Sequence, residues 1–92
     1  MDCKLISFVL RAKNRRKVLL LLAKEKLTPS QIMKRTNMYE SHTSRTLKEL
    51  LSRKVIVCEN PNERKFRFYK ITSLGKKTAK DVEKILKEIG KV

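Results

Sequence analysis

Ser41, His42, Ser44 and Arg45 fall within one short stretch of a 92-residue chain. Their side chains offer two chemistries: a hydroxyl activated by an imidazole, or a row of hydrogen-bonding groups presented to a partner. Spacing weighs against the first. On a helix, neighbours one and two apart do not face each other, so His42 pairs with neither serine as base with nucleophile. The nine acidic residues are scattered singly, and two glycines cannot build a glycine-rich phosphate loop. His42 is the one histidine, and Cys3 and Cys58 form no C-x-x-C pair. The sequence therefore argues against an enzyme, and no metal or cofactor is expected. Cys58 reads as a small hydrophobe in a strand rather than half of a disulfide.

Charge gives the binding alternative its direction. Lys and Arg number 24 against 9 acids, a formal charge of +15, which makes a polyanion the default partner. Nucleic acid, an anionic membrane face and an acidic protein all have the right sign. The densest run is RAKNRRK, with Arg11, Lys13, Arg15, Arg16 and Lys17. No stretch reaches the roughly 18 apolar residues of a spanning helix, and the N-terminus lacks a secretory cleavage pattern, so no membrane role is expected and the reading is cytoplasmic.

The elements that must position these groups follow from periodicity and punctuation. A chain of this length suits one domain over residues 1–92. Apolar residues at 18–23 make a largely buried helix from Lys13 to Glu25. The cluster Leu5, Ile6, Phe8, Val9 and Leu10 is either a short preceding helix or an extension of it. TPSQIMKRT carries a full helix start, with Thr28 as cap, Pro29 in the first turn and Gln31 closing a capping box, and Asn37 suits a left-handed end. A third helix over about 40–53 puts Thr43, Leu47, Leu50 and Leu51 inward. Ser41, Ser44, Arg45 and Lys48 lie on its other side, where nothing bulky and apolar is offered to a core. KVIVCE and RKFRFYKIT read as two strands joined around NPNE. Thr72 caps a last helix whose Leu74, Ala79, Val82, Ile85, Leu86 and Ile89 form one stripe, with Lys76, Lys80, Lys84 and Lys87 turned away.

In this order the elements are mainly α with a small β-hairpin. LTPSQIMKRTNMYESHTSRTLKELLSRKVIV followed by FYKITSLGKKTAK resembles the winged helix-turn-helix transcription regulators of the arsenic-responsive (ArsR) and multiple-antibiotic-resistance (MarR) groups, of prokaryotic or archaeal type, over residues 14–80. The resemblance implies a three-helix core with a two-stranded wing over 14–72, then a C-terminal helix over 73–92. Leu47, Leu50, Val55 and Ile56 match its leucine pair and following strand, and Ile71, Thr72 and Gly75 its strand-to-helix junction. Lys54 stands where the family commonly has a glycine closing the recognition helix. No cysteine lies between Tyr39 and Lys54, so the recognition-helix metal site of the arsenic-responsive group is not carried over.

A helix of this kind enters the major groove by its N-terminal turns, where small or hydrogen-bonding side chains let the backbone approach the bases. The resemblance thus implies base reading by Ser41, His42, Ser44 and Arg45. Phosphate contacts fall to Tyr39, Lys48, Arg15 and Arg16, and to Arg64 and Lys65 on a wing at 60–65. The expected partner is double-stranded DNA, bound sequence-specifically by a homodimer paired through Val82, Ile85, Leu86 and Ile89. The alternative is a winged-helix module for protein contacts or for RNA or chromosomal DNA without sequence preference. No small-molecule effector is identifiable.

Overall fold

The apolar cluster at 5–10 is a helix of its own in the computed structural model, which describes residues 2–90. This α1 (Cys3–Leu10) begins at Asp2, whose carboxylate accepts the Leu5 N–H at 3.1 Å. It is followed by α2 (Lys13–Leu22), α3 (Pro29–Thr36), α4 (Glu40–Ser52), β1 (Ile56–Cys58), β2 (Tyr69–Ile71) and α5 (Ser73–Glu88). The strands pair antiparallel, with Ile56 opposite Ile71 and Cys58 opposite Tyr69. The fold is mainly helical with a small two-stranded wing, as expected. Among the described residues no helix is long and apolar enough to cross a membrane, and both cysteines are free.

Helix α2 is the hub, packed by α1, α3, α4, α5 and β2. Its Val18 and Leu19 are fully buried with Val9, Ile32, Leu50, Val55 and Val82. The helix ends at Leu22 instead of reaching Glu25. The Lys24 N–H turns back to the Leu21 carbonyl at 3.1 Å, and the chain then runs to Leu27, which exchanges two backbone hydrogen bonds with Tyr69. This one-residue extension of the sheet leaves no alternation for a sequence reading to detect.

The capping box forms as read. The Gln31 N–H donates to Thr28 Oγ1 at 3.2 Å, and the Thr28 N–H to Gln31 Oε1 at 2.9 Å. Asn37 closes α3 with φ 58°. The turn to α4 is tied by Thr36, whose hydroxyl donates to the Ile32 carbonyl at 2.7 Å and accepts from the Met38 N–H at 3.3 Å.

The strands are shorter than RKFRFYKIT suggests, because Phe66 takes φ 56° and breaks extended geometry. Residues 59–68 form an ordered wing loop instead. The Glu59 N–H donates to the Phe68 carbonyl at 2.8 Å, and Asn60 spans the loop, donating to the Phe66 carbonyl at 3.0 Å and accepting from the Phe68 N–H at 2.8 Å.

Lys54 occupies the position where the family pattern has a glycine, and the backbone there is left-handed, with φ 61°. The Lys54 N–H donates to the Leu51 carbonyl at 3.0 Å and the Val55 N–H to the Leu50 carbonyl at 3.4 Å. Leu50 and Val55 are both fully buried, so α4 ends in a Schellman motif with lysine at its left-handed position. A side chain in that conformation costs about 1–2 kcal/mol, partly offset by the larger chain entropy glycine has when unfolded. Lys54→Gly is expected to stabilise the protein by about 0.5–1 kcal/mol, raising the melting temperature by a few degrees. A lower melting temperature by circular dichroism would show that the lysine side chain contributes more than its backbone strain costs.

Val82, expected at a seam between two chains, instead fills this chain's own core. It lies on the inner face of α5 with Gly75, Thr78 and Ala79, all buried and spaced three and four apart. Ile85 and Leu86 pack half-buried against the same core, and Ile89 is 60% exposed.

Candidate functional site

The outward face of α4 is made by exclusion. Thr43, Thr46, Leu47 and Leu50 are buried, and Thr43 settles its hydroxyl on the Tyr39 carbonyl at 3.0 Å. The residues between these positions are left outside. Ser41, Ser44, Arg45 and Lys48 are all exposed, at the i, i+3, i+4 and i+7 positions of one stripe. Tyr39 precedes the first turn and is 76% exposed. It provides no side-chain cap, so the first amides of α4 keep donors for an outside acceptor. His42 stands beside the stripe, its ring edge-on to Tyr39 with centroids 5.9 Å apart.

The basic run divides in an unexpected way. Arg15 donates to both Glu49 oxygens, at 2.7 and 3.3 Å, and to the Phe8 carbonyl at 2.8 Å. Its guanidinium lies 3.9 Å from the centre of the Phe8 ring, and that of Arg53 lies 4.3 Å from it. The hydrogen bond from Arg15 holds the Glu49 carboxyl below its ordinary range against partial desolvation, with the charges of Arg15 and Arg45 adding to the effect. Arg15 therefore joins α1, α2 and α4 instead of standing in solvent. Arg16 donates to the Leu10 carbonyl and closes the end of α1. The sequence contains the signal for Arg15: Val18, Leu19 and Leu22 follow it at i+3, i+4 and i+7, on the buried face.

Lys13, to which the sequence assigns no contact, is exposed. With Asn14 it lines one wall of a groove whose other wall is His42, Arg45 and Glu49. A second groove between α3 and α4 is lined by Pro29, Ser30, Met33 and Ser44. Pro29 and Ser30 also line a third groove, against Arg64, Lys65 and Phe66 of the wing. The first turn of α3 thus joins the α4 stripe to the wing.

Three ion pairs form among the described residues: Arg15 with Glu49, Lys26 with Glu59, and Arg35 with Glu25. None uses Arg45, Lys48, Arg64 or Lys65, all of which are exposed. Among the described residues no three histidine, cysteine, aspartate or glutamate side chains gather to hold a metal ion. Chemically the face offers donors, hydroxyls and positive charge, which suits recognition of an anionic, hydrogen-bonding partner.

Known proteins resemble the chain in this same region. Residues 12–53, which run from the start of α2 to the end of α4, match the family described as bacterial regulatory protein, arsR family. Among solved structures, the adhesin competence repressor AdcR of Streptococcus pyogenes is similar with a TM-score of 0.73 at 18% identity, over 85% of this chain and 59% of that one. A mutant of Lactococcus lactis ZitR in its apo form gives 0.75 at 18%, over 85% of this chain and 60% of that one. HlyU of Vibrio cholerae gives 0.70 at 17%, over 95% of this chain and 96% of that one. The chain spans about three fifths of AdcR and ZitR and nearly all of HlyU. No curated protein matches it in sequence. The likeness makes the fold a winged helix-turn-helix, in which α3 and α4 are the helix-turn-helix and the β1–β2 loop is the wing.

Proposed function

We propose that the protein is a DNA-binding transcription regulator that presents α4 to the major groove and its wing to the backbone or minor groove. The observation that carries the reading is the exposed stripe Ser41, Ser44, Arg45 and Lys48, which offers hydrogen-bonding groups along its length and takes part in no ion pair among the described residues. The regulatory family matched over the helix-turn-helix supports the same reading. Ser41, His42, Ser44 and Arg45 read base edges, with Arg45 suited to the paired acceptors of a guanine. Tyr39, Lys48, Arg64 and Lys65 hold phosphates, and Lys13 joins them. Arg15 and Arg16 position helices instead.

Selection of bound sequences from a random duplex pool tests the proposal, and a shared motif is the expected result. A specific-to-random affinity ratio near unity would favour non-sequence-specific binding instead. Lys65→Ala is expected to weaken binding to selected and scrambled duplexes alike. It should flatten the slope of log affinity against log salt by about 0.9 for each phosphate that a subunit no longer neutralises. A changed site preference with an unchanged slope would make the wing a base reader.

A homodimer through α5 belongs to the same proposal. Leu74 and Ile89 are 42% and 60% exposed on that helix, and Ile85 and Leu86 are only half-buried. Sedimentation at micromolar concentration is expected to give a dimer, and Ile89→Asp to lower its affinity by about tenfold or more, since a carboxylate in an apolar seam must be desolvated. A wild-type monomer under those conditions removes this part of the proposal.

A further inference from the structure

Phe66 sits at the wing, 76% exposed, in a left-handed backbone with φ 56° that a bulky side chain seldom adopts. Both features oppose stability, yet the surrounding loop fixes them. Asn60 holds the Phe66 carbonyl and the Phe68 N–H, and Arg67 donates to the Glu63 carbonyl at 2.6 Å. In an unbroken strand Phe66 and Phe68 would share a face. Here they part: Phe68 is half-buried, with Lys26 5.4 Å from its ring centre, while Phe66 stands in solvent. Exposed Arg64, Lys65 and Arg67 flank it. Its groove shares Pro29 and Ser30 with the neighbouring groove that reaches Ser44 at the start of α4, so the wing adjoins the surface assigned to DNA.

We infer that Phe66 is an apolar wedge that enters the minor groove and partly unstacks one base step while the flanking cations hold the phosphates on either side. A rigidly displayed apolar side chain among basic residues is the arrangement by which architectural proteins kink a duplex. Its preferred target is a flexible pyrimidine–purine step, which is cheap to unstack, at a position where no base edge is read. The wing then contributes sequence preference through DNA deformability and not through hydrogen bonds. The inference rests on the DNA-binding reading.

The test uses the full chain and duplexes taken from the random-pool selection, with 2-aminopurine scanned through the flanks and end-to-end fluorescence transfer reporting the bend. Wild type is expected to brighten the probe at one flanking step and to bend the duplex. Phe66→Ala should abolish both effects and lower affinity about tenfold, whereas Phe66→Leu should retain them in large part. Changing the flexible step to a stiff one should weaken wild type several-fold and leave Phe66→Ala unchanged. Because the ring is exposed, both variants should keep the wild-type circular dichroism and melting temperature. If wild type binds with the expected specificity but Phe66→Ala matches it in bend, probe signal and affinity, the wedge is overturned and the DNA reading survives. If wild type binds no duplex, both fall.

Discussion

Gly75→Ala is expected to cost at least about 3 kcal/mol, a large share of the roughly 5–15 kcal/mol that holds a domain folded. The substitution favours helix formation by about 1 kcal/mol on propensity alone, so a loss would be a tertiary effect. A Cβ at this position would lie 2.0 Å from the Val55 carbonyl oxygen and 2.6 Å from Ile71 Cγ1. The carbonyl is already held, accepting the Thr72 N–H at 3.0 Å. Thr72 also donates through its hydroxyl to the Lys54 carbonyl at 2.7 Å and accepts from the Gly75 N–H at 3.1 Å. Relief therefore requires α5 to withdraw from the β1–β2 junction, which would open the core around Val55 and Val82 and exceed the usual cost of an added methylene. Urea unfolding followed by circular dichroism should show a large drop in midpoint or no folded protein. An alanine variant as stable as wild type would mean that the junction has slack its geometry does not show.

Arg45→Ala is expected to lower affinity for the selected duplex by about 1–3 kcal/mol, or roughly 5- to 150-fold, with little effect on a scrambled duplex. Arg45 is exposed at the middle of the α4 stripe and takes part in no ion pair among the described residues. Its removal should leave stability nearly unchanged, so the loss can be assigned to binding. Arg45→Lys should not restore affinity, since an ammonium group cannot reproduce the planar two-donor match to guanine O6 and N7. Titration against both duplexes decides the matter. Equal losses on the two would turn Arg45 into a phosphate contact and pass recognition to other groups.

What can be read from the chain alone is the part written in short windows. The capping box of Thr28 and Gln31, the left-handed Asn37, the cap at Thr72 and the inward Thr43, Leu47 and Leu50 of α4 all depend on groups within a turn or two of each other. For the same reason the exposed stripe of α4 is legible: once the core positions are known, the remaining face is fixed by helical geometry. The family pattern even locates the left-handed position at Lys54, where the absent glycine marks a backbone requirement and not an interruption of the fold.

Charge density misleads where burial and ionisation are treated as exclusive. Arg15 stands at helical spacing from Val18, Leu19 and Leu22, yet its place in a cationic run argues for solvent. A guanidinium can occupy a partly buried face if a carboxylate and a ring meet it, and Glu49 and Phe8 do so. The carboxylate lies 34 residues away. The bridge between Leu27 and Tyr69, the approach of Gly75 to Val55, the burial of Val82 and the outward Phe66 have the same character. Local periodicity and caps located most of the helices and the inward face of α4. Only the packing of those helices on α2 decided which cations remain free for a partner, because an ion pair or a steric contact exists only between groups that the fold brings within a few ångströms.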